Sequence, residues 1–191
     1  MIRRVVTVGP VALALLALAA GCGGGSKSGA TATTRTTTQA TQSPLAAMRE
    51  YAKAHPEYAG TASVLFQGSA WSVVQVRVGE KAAALAFHLQ GGTWHPDTSG
   101  VVKISILGPQ PGEHVASIPQ VAIGIKAPVA FEESGLWVDG TELFEKGGGT
   151  PTEGTIYGAP AKKLPAGTHV AVGYARTGSS GTAVAWLFRT G

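Results

Sequence analysis

From Ala62 onward the apolar side chains recur at every second position, and that period constrains the fold more than any other feature. Val74, Val76 and Val78 alternate with Gln75 and Arg77, as in a strand with unlike faces. Strands are expected at 62–67, 71–78 and 82–90, with a short one at 93–95. Gly79-Glu80-Lys81 and Gly91-Gly92 supply the turns between them. Further strands are expected at 101–107, 120–126, 136–138, 155–157, 168–176 and 182–189. Gly108-Pro109-Gln110-Pro111-Gly112, Asp139-Gly140, Gly147-Gly148-Gly149-Thr150-Pro151 and Gly178-Ser179-Ser180-Gly181 read as the turns and loops that separate these. Short strands at this spacing, without helical periodicity, suggest a β-sandwich.

One helix precedes them. Ser43 is an N-cap and Pro44 takes the first helical position. Leu45, Met48 and Ala52 then fall on one face, Arg49, Glu50 and Lys53 on the other, and His55-Pro56 ends the run. The chain is therefore mostly β: a small helix-plus-antiparallel-meander unit over 45–99, then a sandwich over 100–191. The first unit is small for independent stability and is expected to lean on the second.

Packing alone must hold this fold. Cys22 is the one cysteine, so the folded part has no disulfide, zinc–thiolate site or cysteine nucleophile. Within the sandwich, Val170, Val172 and Tyr174 opposite Val184, Trp186 and Phe188 would fill the space between the sheets. Small Ala171, Gly173 and Ala175 leave the opposite registry open. Trp71, Trp94, Trp137 and Trp186 all fall at strand positions that a core would use, the alternative being a platform for stacking on sugar. Trp137, nearer a turn, is expected to cost less to remove than Trp186.

The N-terminus carries an address. Arg3 and Arg4 precede an apolar run over 11–20, and Gly21-Cys22 follows. That is the layout of an export signal, and the whole stretch from Val5 to Ala20 is too short, and too broken by Thr7 and Gly9-Pro10, to favour a permanent span. From Gly23 to Ser43 the composition is Gly, Ser, Thr, Ala and Gln, which reads as a disordered tether with a root-mean-square span of roughly 25 Å. The formal charge of +4 misleads, because Arg3, Arg4, Lys27 and Arg35 all lie in these leading segments. From residue 45 onward eleven cations balance eleven acids, without a basic stripe, and a nucleic-acid partner is not expected.

Signatures of chemistry are sparse. Asp97-Thr98-Ser99-Gly100 has one residue too many for the Asp-Thr-Gly of aspartic proteases and reads as a turn closed by the Asp97 side chain. No Gly-x-Ser-x-Gly or Ser-x-x-Lys occurs, and the glycines at 147–149 lack the Lys-Ser/Thr of a phosphate loop. Among His55, His88, His95, His114 and His169, only His88 and His95 could meet across a hairpin, with Asp97 as a third ligand. Surface or internally bonded histidines are the favoured alternative. Glu132-Glu133 reads as a solvated loop. No catalytic, cofactor or metal residue is assigned.

The segment Leu18-Ala19-Ala20-Gly21-Cys22 resembles the bacterial lipobox, with Leu18 four residues before the cysteine where three is commonest. That resemblance implies cleavage after residue 21, acylation of Cys22, and a lipid-anchored protein on the extracytoplasmic face of the cell membrane, with 22–44 as tether. From Ile106 onward the order of features resembles bacterial immunoglobulin-like modules: Leu107-Gly-Pro-Gln-Pro-Gly112, Leu136-Trp-Val-Asp-Gly140, Leu164-Pro-Ala-Gly-Thr-His169 and Trp186-Leu-Phe188. This implies an immunoglobulin-like sandwich. Copper-binding periplasmic sandwiches share the outline, but their ligands include a mature N-terminal histidine where this chain has Cys22, so no metal is implied. The expected role is a non-enzymatic binding module for an envelope protein or cell-wall polymer. The alternatives are a structural part of an envelope complex, marked by a self-pairing sheet edge, and a hydrolase, marked by a pocket joining His88, His95 and Asp97.

Overall fold

The computed structural model describes residues 40–143 and 145–191. The expected signal peptide at 1–21, Cys22 and the tether as far as residue 39 lie outside the described residues. Helix α1 runs Pro44–Ala54, and the Ala46 amide donates to the Ser43 hydroxyl at 3.2 Å. Pro44, Ala47 and Met48 are buried, and the expected Leu45 and Ala52 flank them half-buried. No helix among the described residues is long and apolar enough to cross a membrane.

Strands β1 (Thr61–Gln67), β2 (Trp71–Val78), β3 (Lys81–Gln90) and β4 (Thr93–Pro96) form an antiparallel meander in chain order. Its alternation hides both faces rather than one. Val74, Val76, Leu85, Phe87 and Trp94 pack under α1 with Met48. Trp71, Val73, Ala84 and Ala86 point the other way, against the second sheet of the sandwich.

The sandwich begins with β5 (Lys103–Gly108), β7 (Val121–Lys126), β10 (Lys146–Gly149) and β11 (Glu153–Gly158), ordered β10-β11-β7-β5. Opposite lie β6 (His114–Val115), β8 (Glu133–Val138), β9 (Thr141–Glu142), β12 (Gly167–Arg176) and β13 (Gly181–Thr190), ordered β6-β13-β12-β8-β9. The pairing of β6 with β13 is parallel and the others are antiparallel. Four strands in the order A-B-E-D facing a sheet that contains G-F-C is the immunoglobulin arrangement, and β5-β7-β11-β10 facing β13-β12-β8 reproduces it. Helix, meander and sandwich thus make four layers, and the outer face of the G-F-C sheet is covered from within the same chain.

That cover corrects the expected core. Val184, Trp186 and Phe188 do pack between the two sheets, with Ile123, Ile125 and Leu136. Val170, Val172 and Tyr174 do not; they face the meander, against Trp71, Val73 and Trp137. The register explains the reversal. Ala171 sits opposite Trp186, and Gly173 opposite Val184. Ile123 fills the space above Gly173 so closely that a Cβ there would stand 2.9 Å from its Cδ1. Strand β12 gives its small side to a crowded sandwich core and its large side to the meander.

Three smaller expectations also change. Gly147-Gly148-Gly149 is not a loop but part of β10, paired with β11 and open on its far side. Glu132-Glu133 is not merely solvated: Arg176 donates from Nη1 to Glu132 at 2.7 Å and from Nε to Glu133 at 2.8 Å. All four tryptophans are 3% exposed, which removes the sugar platform, and Trp137 is as deep as Trp186.

Candidate functional site

The cleft that would join His88, His95 and Asp97 does form. His88 and His95 are direct cross-strand partners on β3 and β4. Asp97 follows β4, and Ser179-Ser180 of the β12–β13 turn complete an open cleft of about 310 Å³. The His88 ring stacks on Trp71, with centroids 4.4 Å apart and planes 5° apart. Burial pushes the His88 imidazole below its ordinary value, and the Asp97 charge opposes that shift. The carboxylate of Asp97 is nevertheless committed elsewhere. Its Oδ1 accepts the Ser99 amide at 2.8 Å, closing the expected turn, and Oδ2 accepts the Gly181 amide at 2.7 Å. Asp97 therefore ties the meander to the sandwich. No set of three His, Cys, Asp or Glu among the described residues is arranged to hold a metal ion.

A second polar cluster was not anticipated. His169 Nδ1 lies 2.7 Å from Asp139 Oδ2, and its Nε2 lies 2.9 Å from the Pro165 carbonyl and 3.0 Å from Thr190 Oγ1. The order carboxylate, imidazole, hydroxyl imitates a nucleophile triad. Thr190, however, is 3% exposed and its hydroxyl donates to the Pro165 carbonyl, so no substrate can reach it. Asp139 and Gly140 both have positive φ, at 49° and 79°, which is the two-residue hairpin turn that Asp-Gly favours. Asp139 Oδ1 also accepts the Val170 amide at 2.9 Å. The cluster locks the β8–β9 turn to β12, and it joins two segments that were separate motifs in the sequence. A further hollow beside Ser134, Glu142 and Leu143 holds Glu145, whose carboxyl is pushed up by burial.

Another hollow lies where the meander meets the sandwich. It is a groove of about 680 Å³, walled by Arg77, Glu80 and Lys81 on one side and by Pro111-Gly112 and residues 185–189 of β13 on the other. Its inner wall is a strand edge. The Leu187 carbonyl accepts the Gly112 amide and the Arg189 amide donates to the Glu113 carbonyl, each at 2.7 Å. Backbone groups of the odd-numbered residues of β13 thus point away from β12. Strand β6 meets only Arg189 and Thr190 there, so among the described residues no strand pairs with Ala183 or Ala185 on that side. Three cations border this groove, Arg77, Lys81 and Arg189, and none forms an ion pair among the described residues. Neither the open edge nor the cations had a signature in the sequence, because each side of the groove comes from a different unit.

No family model and no curated protein matches this chain. Among solved structures, the titin Ig tandem domains are similar with a TM-score of 0.33 and 6% identity. The match covers 64% of this chain and 62% of that one, so it spans less than two thirds of the titin structure.

Proposed function

We propose that this protein is a lipid-anchored envelope module that binds a partner through the groove between meander and sandwich. The observation that carries the reading is the groove itself: among the described residues, an unpaired strand edge and three cations without an ion pair face one hollow of about 680 Å³. Unpaired backbone and charge lining one groove favour binding over catalysis. Anchoring rests on the lipobox-like Leu18–Cys22, and the immunoglobulin-like sandwich serves as a rigid frame for the groove. The His88–His95 cleft supports a hydrolase less well, because the Asp97 carboxylate is held by two backbone amides.

The test uses the full-length protein in its own envelope, with a photocrosslinking residue at Glu80 in the groove or at Val129, which is 55% exposed elsewhere. The expected result is a discrete adduct from position 80 and none from 129, with Cys22→Ser releasing the protein from the membrane fraction. Equal labelling from both positions, or no adduct from position 80, would count against a groove-borne function.

A further inference from the structure

We propose that the occupant of the groove is an extended acidic peptide, which adds as a strand to the open edge of β13 and sets its carboxylates among Arg77, Lys81 and Arg189. This rests on the groove being the binding site and adds the chemistry of its partner. Two features carry it separately.

The first is backbone. Past the Leu187 carbonyl, which Gly112 occupies, β13 offers the Leu187 N–H and then both groups of Ala185 toward the groove. A donor followed by a donor–acceptor pair at that spacing is what an incoming strand matches. Strand β6 already runs beside β13 at Arg189 and Thr190, so a bound segment would extend an existing row. An unpaired edge is usually short, charged or covered, and here no strand among the described residues pairs with β13 at Ala183 or Ala185 on that side.

The second is charge. Arg77 on β2, Lys81 on β3 and Arg189 on β13 converge from three strands, against Glu80 as the one carboxylate of the lining. The Arg77 Nε makes only a long contact, 3.4 Å, to the Gly79 carbonyl. A peptide with alternating carboxylates would satisfy the cations with one set of side chains and lay the other set, on the opposite face of the added strand, toward Ile106 and Pro111 of the lining. A polyphosphate chain would meet the cations but leave the Ala185 carbonyl without a donor. A neutral glycan would leave the cations unpaired. The peptide satisfies both features at once.

The experiment is fluorescence anisotropy of the full-length lipidated protein in detergent micelles, with a labelled decapeptide of alternating Glu and Val. Saturable binding is expected, weakened about tenfold or more when Lys replaces Glu. Methylating the backbone nitrogens of one of the two alternate residue sets should weaken it by a similar factor, since only one set faces β13. The Arg77→Glu, Lys81→Glu double variant should bind about tenfold more weakly while its thermal melt stays at the wild-type temperature. No binding of the Glu-Val peptide, equal binding of the Lys-Val peptide, or indifference to both methylation patterns overturns the inference. Displacement of the peptide by inorganic polyphosphate at equal charge concentration overturns it too. A position-80 adduct that persists through any of these outcomes leaves the groove as the binding site and removes only the peptide.

Discussion

Two glycines show how single positions fix the layer contacts. Gly181 opens β13 beneath Trp71, and a Cβ there would stand 2.6 Å from the indole Cζ3. Trp71 is 3% exposed and cannot swing clear. Gly181→Ala should therefore destabilise the fold by about 1–3 kcal/mol through overpacking. Gly148 on β10 has open space where its Cβ would go and a backbone that any residue can adopt. Gly148→Ala should stay within about 0.5 kcal/mol of wild type. Urea titrations of the two variants check both values, and a neutral Gly181→Ala would mean that the meander does not press on β13. In the sequence both positions are simply glycines in Gly-rich stretches, which read as turns; the partner that distinguishes them arrives from 110 residues away in one case and not at all in the other.

At the scale of elements, the strands were legible and their faces were not. Period-two alternation located β2, β3, β12 and β13 to within a residue or two at each end, and the Ser43-Pro44 signal located α1. Alternation cannot say which face meets which neighbour when both faces are apolar. Strand β12 is buried on both sides, so Val170, Val172 and Tyr174 could be assigned to the sandwich core only by ignoring a third sheet. The same omission made Trp137 look peripheral. It lies against Val172 and Tyr174 under the meander, at the same 3% exposure as Trp186. Trp137→Ala and Trp186→Ala should each cost about 3–5 kcal/mol. At about 2–4 °C for each kcal/mol in a chain of this size, both melts should fall by roughly 10 °C, and calorimetry on the pair decides it. A much smaller loss for Trp137→Ala would restore it to the periphery.

The described residues form one compact unit, and neither the meander nor the sandwich can be removed cleanly. Cutting away the meander would expose Trp137, Val170, Val172, Tyr174 and Leu187 on a single sheet face. A contiguous apolar surface of that kind drives association. Residues 100–191 alone should therefore aggregate or self-associate, whereas residues 40–191 should remain monomeric and fold without lipid, metal or reductant. Size-exclusion chromatography and near-ultraviolet circular dichroism of the two fragments separate these outcomes. A monomeric, cooperatively folding 100–191 would show that the G-F-C face tolerates water. What the sequence determined by itself is local: strand positions, the helix and its cap, the Asp139-Gly140 turn, and the absence of any disulfide to rely on. These follow from backbone preference and from the period of burial, which act within a few residues. Only the tertiary structure decided which face of β12 is core, that Asp97 joins the meander to the sandwich, that His169 reaches Asp139, and that Arg77, Lys81 and Arg189 border one open edge. Each of those depends on which distant strand lies opposite, and that is settled by shape and volume between layers rather than by the residues of any one strand.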